Sequence, residues 1–221
     1  MRMRMQEKHD SRSLVLCSEI SDDSVKPLIE VIQEINDIDD MGRQSLREGK
    51  FNERPIKLVV NTPGGDVFAA NALIAAMETS VTPIHTYVYG LAASAGLWVA
   101  VSGHVRFSHY MSRYMYHEIA SWNMGKLEAQ RRVIAELDEL QKMMDSYLLE
   151  KTRITPAQLK KADLADWYFS AKDALNMGVC DYMFERIPKE KKEHPKKEPV
   201  KKEGKSGNKA PSRKRNKNDH A

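Results

Sequence analysis

The chain has 221 residues, with 35 Lys+Arg against 31 Asp+Glu, a formal net charge of +4, and 41% hydrophobic and 30% charged residues. That length supports one sizeable core, ordinary Gly and Pro counts exclude a collagen-like or wholly low-complexity chain, and no apolar run approaches the roughly 20 residues needed to span a bilayer. Cys17 and Cys180 give neither a disulfide framework nor metal-ligand spacing, and no apolar stretch after Met1-Arg2-Met3-Arg4 reads as a signal peptide, so the expectation is a cytoplasmic protein with no membrane partner.

Leu14–Cys17 is a short apolar run that predicts a strand. Asp22 and Asp23 then precede Val25, Leu28, Ile29, Ile32 and Ile35, which is helical spacing with acids where the helix dipole favours them. Asp37 to Pro55 is polar and Gly-containing and reads as a long loop. Ile56–Asn61 predicts a buried strand that runs into the tight turn Thr62-Pro63-Gly64-Gly65. Asp66–Glu78 predicts an Ala-rich helix, Ile84–Tyr89 a strand, and Leu91–Val101 a helix of small residues that must pack closely. Val105–Phe107 and Tyr114–Tyr116 read as short strands.

The longest periodic segment is Lys126–Lys151, where Leu127, Ile134, Leu137, Leu140, Met144, Tyr147 and Leu148 line one face. It is too long to be covered along its whole length by a small globule. Thr155-Pro156-Ala157-Gln158 and Ser170-Ala171-Lys172-Asp173 are helix starts, and Gly178 is a helix stop. Repeated strand–helix units imply an α/β fold with mostly parallel strands. Residues 187–221 are different in kind: 13 Lys+Arg against 5 Asp+Glu, a net of +8, which leaves −4 for residues 1–186. With four Pro and no aromatic residue, this segment predicts a disordered basic tail. Nucleic-acid contact is one reading of it; a solvated tail is the favoured one, because no aromatic side chain is interleaved for base stacking. The organisation expected is a short N-terminal segment (1–12), one domain (13–186) and the tail (187–221).

Three places could carry chemistry. Asn61-Thr62-Pro63-Gly64-Gly65 joins a strand to a helix, and its glycines let backbone N–H groups face a ligand as an anion cradle or oxyanion hole; an ordinary turn is the alternative. Gly90-Leu91-Ala92-Ala93-Ser94-Ala95-Gly96 also lies at a strand-to-helix junction, where a serine could project its hydroxyl from a helix N-terminus; tight packing of small residues is the alternative. His117 ends the Tyr114–Tyr116 strand, but His85, His104 and His109 are also nearby in sequence. A serine nucleophile needs a base and a third group to fix the imidazole tautomer. Spacing alone does not choose that third group among 31 acids.

Together, NTPGG at 61–65, GLAASAG at 90–96, SRYMYH at 112–117 and DWYFSAKDALNMGVCD at 166–181 resemble the Clp protease proteolytic subunit (ClpP) family. The likeness runs from about Leu14 to Phe184, in the family's order. It implies a ClpP/crotonase-type fold of repeated β-α units with a projecting handle helix, here 126–151. It also implies a serine endopeptidase in which Ser94 is the nucleophile, His117 the general base and Asp166 the acid that orients it. Gly65 and Ala95 would supply the oxyanion-hole N–H groups, and no metal or organic cofactor is called for. The resemblance further implies a ring-forming homo-oligomer, such as two stacked heptameric rings, that cleaves unfolded polypeptide or peptide substrates delivered by an AAA+ unfoldase.

The chain departs from the family's pattern in four places: a short segment before Leu14, the long 37–55 stretch, Glu118-Ile119-Ala120-Ser121 in place of the usual Gln-Pro, and Ala165 in place of an Arg. Such departures suit a divergent or phage-encoded relative, with head maturation as an alternative role. Other functions consistent with parts of the pattern are a crotonase-type acyl-CoA enzyme, a membrane-associated Ser/Lys peptidase and a catalytically silent ring subunit. The conjunction of Ser94, His117 and Asp166 favours the triad peptidase over all three.

Overall fold

A computed structural model of the protein describes residues 12–45, 54–120, 124–163 and 165–184. In chain order the elements are β1 (Ser13–Leu16), α1 (Asp22–Ser45), β2 (Ile56–Thr62), α2 (Val67–Glu78), β3 (Ile84–Ala93), α3 (Ala95–Val101), β4 (Val105–His109) and β5 (Arg113–Tyr116). They continue with α4 (Leu127–Lys151), α5 (Pro156–Leu159), a single 3-10 turn at Lys160–Asp163, β6 (Trp167–Ser170), α6 (Ala171–Asn176) and β7 (Tyr182–Phe184). The sheet order is β1-β2-β3-β4-β7, parallel throughout. β5 runs parallel to the far end of β3, and β6 pairs antiparallel with β5. The expected α/β architecture with mostly parallel strands is therefore the one observed.

The sequence dictates this arrangement in simple terms. Ile56, Leu58 and Val60 alternate along β2 and are fully buried, so one face of the strand is apolar and packs into the core, while Lys57, Val59 and Asn61 form the other. In α2 the small residues Ala69 and Ala70 are buried beside Leu73 and Met77, which lets the helix lie close against the sheet. Ser170 starts α6 by accepting the Asp173 N–H, and Gly178, at φ 69°, follows its end. Among the described residues, no helix is long and apolar enough to cross a membrane.

Two boundaries differ from expectation by several residues. The stretch from Asp37 is not a loop: α1 continues through Ser45, and residues 46–53 lie outside those described. Asn36, just before that stretch, and Asp39 within it anchor the helix. Asn36 Oδ1 accepts hydrogen bonds from the Ser80 hydroxyl and the Thr82 N–H, at 2.8 and 3.2 Å. Asp39, 1% exposed, accepts from Arg12 Nη1 at 2.8 Å, Arg12 Nη2 at 2.5 Å and the Thr82 hydroxyl at 2.7 Å. The second difference is that β3 runs on through Gly90 to Ala93, so the helix starts at Ala95 rather than Leu91. Leu91, Ala92 and Ala93 are taken up as strand because β5 pairs with them. The expected 1–12 segment, but for Arg12, and the 187–221 tail lie outside the described residues.

The Asp39 anchor has a measurable consequence. The Arg12 hydrogen bonds hold its carboxyl below the usual carboxylate range, against the opposing effect of burial. A depressed folded-state value means that this contribution is complete above the unfolded-state value and is lost as pH falls through the folded one. Asp39→Ala takes the carboxylate away from the Arg12 guanidinium and is expected to destabilise the fold by about 3 kcal/mol near pH 7, the lower end for a broken buried pair because Arg12 keeps some solvent. The deficit relative to wild type should shrink in acid. Urea unfolding at pH 7 and pH 3 tests this; equal deficits at both pH values would contradict it.

Candidate active site

Four segments converge at the C-terminal ends of β2, β3 and β5. Ser94 sits between β3 and α3 with φ 52° and ψ −130°, and it is the one non-glycine residue at positive φ among those described. Such a conformation costs roughly 1–3 kcal/mol and persists only where its surroundings impose it. Here the Ser94 N–H donates to Met115 O on β5 at 2.9 Å, and Ser94 O accepts the Leu97 N–H of α3 at 2.9 Å. The serine is thus pinned to the next strand on one side and to its own helix on the other.

The Pro-Gly-Gly turn packs directly against it. A Cβ on Gly64, at φ 98°, would lie 2.6 Å from Ser94 Cβ and 2.7 Å from Ala93 O, so only glycine permits the approach. Gly65, at φ 147°, is bridged to Ile20, which follows β1. The Ile20 N–H donates to Gly64 O, and the Asp66 N–H donates to Ile20 O, both at 2.8 Å. These two bonds straddle Gly65 and hold its own amide on the opposite side of the strand. Neither the Gly65 nor the Ala95 N–H has a hydrogen-bond acceptor among the described residues. Asp66 is the cap of α2, its side chain accepting the Ala69 N–H at 2.7 Å, rather than the first residue of that helix.

His117 follows β5 directly. Its Nε2 lies 2.7 Å from Ser94 Oγ, and the hydroxyl donates when the ring proton sits on Nδ1. The parallel pairing of Ala93 with Met115 sets this up, since continuing that register puts Ser94 level with Tyr116, the residue directly before His117. Asp166 immediately precedes β6. The last antiparallel pair is Tyr116 with Trp167, so one further step along that ladder sets Asp166 opposite His117. Asp166 is exposed, and no hydrogen bond joins it to His117 among the described residues. Ser94, His117, Gly65 and Ala95 therefore come together, whereas Asp166 neighbours His117 by strand register alone and makes no hydrogen bond to it among the described residues.

These groups line a cavity of about 350 Å³ whose remaining walls are largely apolar, with Val67, Phe68, Trp98, Ile119 and Leu137. A wider, open recess of about 770 Å³ shares none of these residues. Its charged groups are matched, Arg106 with Asp181 at 2.6 Å and Lys151 with Glu78 at 2.8 Å. His85, His104 and His109 lie away from the serine: His104 Nδ1 accepts the Ile84 N–H, and His109 Nδ1 accepts the Met111 N–H. Sequence reasoning did not find Ile20, whose role is carried by backbone and leaves no side-chain signal. It also passed over Gln141 and Asp145, although two polar residues at i, i+4 beside the buried stripe of α4 are a readable signal.

The Clp protease family model matches residues 7–186. Among curated relatives, the ATP-dependent Clp protease proteolytic subunit of Streptococcus uberis is 30% identical over 142 residues, covering 62% of this chain and 72% of the relative. The ATP-dependent Clp protease proteolytic subunit 2 of Treponema pallidum is 26% identical over 179 residues, 80% of this chain and 84% of the relative. A subunit of the same name from a Synechococcus species is 27% identical over 143 residues, 64% and 73% of the two chains. A match over most of the chain, on a parallel α/β fold with a serine hydroxyl and an imidazole in contact, makes this protein a member of the Clp protease family and a serine endopeptidase.

Proposed function

We propose that the peptide bond is cleaved by Ser94 as nucleophile and His117 as general base, with Asp166 orienting the imidazole during turnover. The contact of 2.7 Å between Ser94 Oγ and His117 Nε2, on a serine held at positive φ, is the observation that carries this reading. His117 takes the hydroxyl proton as Oγ attacks the substrate carbonyl carbon. The carbonyl oxygen becomes an oxyanion, which the Gly65 and Ala95 N–H groups stabilise. The C–N bond then breaks as His117 returns the proton to the leaving amine. Water, deprotonated by His117, attacks the acyl-enzyme, and the Ser94 hydroxyl is regenerated. The apolar walls Phe68, Trp98, Ile119 and Leu137 suit an apolar substrate side chain on the acyl side. An acyl-CoA enzyme would use the two amides but has no need of a serine against an imidazole.

The catalytic unit is residues 13–186, working in the cytoplasm, and the basic segment 187–221 is dispensable for the chemistry. The printed names of the relatives, subunits of an ATP-dependent protease, support a ring-forming homo-oligomer fed by an ATP-driven unfoldase. Two surfaces fit that assembly. On the first turns of α4 Leu127 is 65% and Ile134 56% exposed, although Leu148 at the other end is buried, so half of its apolar stripe is free for a second copy. The stacked rings of Tyr87, Phe107 and Tyr182 form an aromatic strip across β3, β4 and β7 that suits a partner.

A fluorophosphonate probe applied to the full chain is expected to label it at a single residue, mapped by peptide mass analysis to Ser94. Absence of labelling, or labelling at another residue, would overturn the assignment.

A further inference from the structure

We propose that one turn of α4, from Gln141 to Asp145, is the positioning element that sets the distance between Ser94 and His117. The inference rests on the nucleophile and base roles given above and adds residues on a helix that contributes neither. Both halves of the pair are fastened to that turn. On the serine side, α3 carries Trp98, 3% exposed, whose Nε1–H donates to Met144 O at 2.9 Å. On the imidazole side, Tyr116 directly precedes His117, and its hydroxyl donates to Asp145 Oδ1 at 2.6 Å.

Gln141 ties the imidazole side together. Its Nε2 donates to the Tyr116 hydroxyl at 3.1 Å and to Asp145 Oδ1 at 2.9 Å, and its Oε1 accepts the Ile119 N–H at 2.7 Å. His117 is therefore bracketed: Tyr116 on one side and Ile119 on the other are held by the same amide. The bracket matters because the chain has left the sheet there. Tyr116 makes the last pair with β6, and the Ile119 bond is the one hydrogen bond made by residues 118–120 among those described. The Trp98 and Tyr116 rings also meet, with centroids 5.8 Å apart. Ser94 and His117 thus share a common reference, a single helical turn, rather than being placed by two independent loops.

The partners' chemistry suits this task. Asp145 Oδ1 receives two donors and Gln141 uses both ends of its amide, so the half-buried network is directional and each member is fixed by more than one bond. A reacting pair misplaced by about 1 Å loses on the order of 100-fold in rate. Tyr116→Phe removes one oxygen and keeps the ring; Gln141→Met keeps the length and removes both polar ends.

The test uses the full chain and a fluorophosphonate, separating the maximal inactivation rate from the probe's apparent affinity, with the folded fraction titrated for every variant. Both variants are expected to lower the maximal rate of the folded protein by about 10- to 100-fold; Tyr116→Phe should leave apparent affinity unchanged, because it touches no cavity wall, whereas Gln141→Met also frees the Ile119 wall and should weaken affinity by a few-fold at most, on the order of a rim contact. The double variant should lose no more than the worse single one, since both break one network. Glu139→Gln, on the exposed face of α4 and paired with Lys142, should react like wild type. If the variants only reduce the folded fraction, with the folded protein reacting at the wild-type rate, the residues are merely structural and the proposal is overturned. Should Gln141→Met not fold, Tyr116→Phe decides alone. A wild-type protein that fails to label overturns the nucleophile assignment, and the positioning proposal falls with it; a labelled wild type matched by its variants overturns the positioning alone.

Discussion

His117→Ala is expected to lower kcat on a fluorogenic peptide by about a million-fold, as much as Ser94→Ala does, because the two groups act as one unit and either loss removes it. The geometry behind this is the Ser94–His117 contact of 2.7 Å. With no base at hand the hydroxyl stays protonated at neutral pH, and an unionised serine is a poor nucleophile. Asp166→Asn is expected to cost less, about ten-thousand-fold, since Asp166 lies alongside the imidazole by register and does not hydrogen-bond to it. The ordering Ser94 and His117 first, Asp166 well behind, is measured by steady-state kinetics on variants whose folding is verified by circular dichroism. His117→Ala retaining a tenth of wild-type activity would remove the imidazole from the mechanism.

Gly65→Ala is expected to lower kcat by about 100- to 1000-fold, the usual effect of losing one oxyanion donor, although alanine keeps its N–H. The amide survives but its direction does not. A Cβ at this position runs into the Ile20 carbonyl oxygen, and φ 147° is a conformation that L side chains rarely adopt. The turn must open, and the two Ile20 hydrogen bonds that hold the Gly65 amide on the cavity side are the first to break. Stability should fall as well, by about 1–3 kcal/mol, as for other forced positive-φ positions. The apolar walls of the cavity are untouched, so KM should change far less than kcat. Wild-type kcat in this variant would show that the Gly65 N–H faces no developing charge.

Much of the fold was legible in the residues, because the apolar runs and cap signals were strong. The β2 run and the Ser170 cap were read in place. The site was legible in parts: the Gly-Gly turn and the serine each stood at a strand-to-helix junction, but neither named the other, and only the family resemblance joined them to His117. What stayed hidden was hidden for physical reasons. Asp39 looks like a loop residue, yet it is buried as an acceptor for Thr82 and Arg12, and half-buried Asn36 accepts from Ser80, partners that lie far away along the chain. Gly90 looks like the start of a helix, yet the pairing with β5, which decides the matter, is a long-range contact. The Ile20 bridge is made by backbone atoms that any residue possesses.

The backbone angle at Ser94 narrows which amino acids could ever occupy the post. At φ 52° a side chain branched at Cβ is a severe outlier, so threonine, though it carries the same hydroxyl, is barred by shape before reactivity is considered. Gly64 adds a limit from the other side, since any side chain there would collide with Ser94 Cβ. The junction therefore admits a compact, unbranched nucleophile, and evolutionary exploration of its chemistry is confined to what so small a socket can hold.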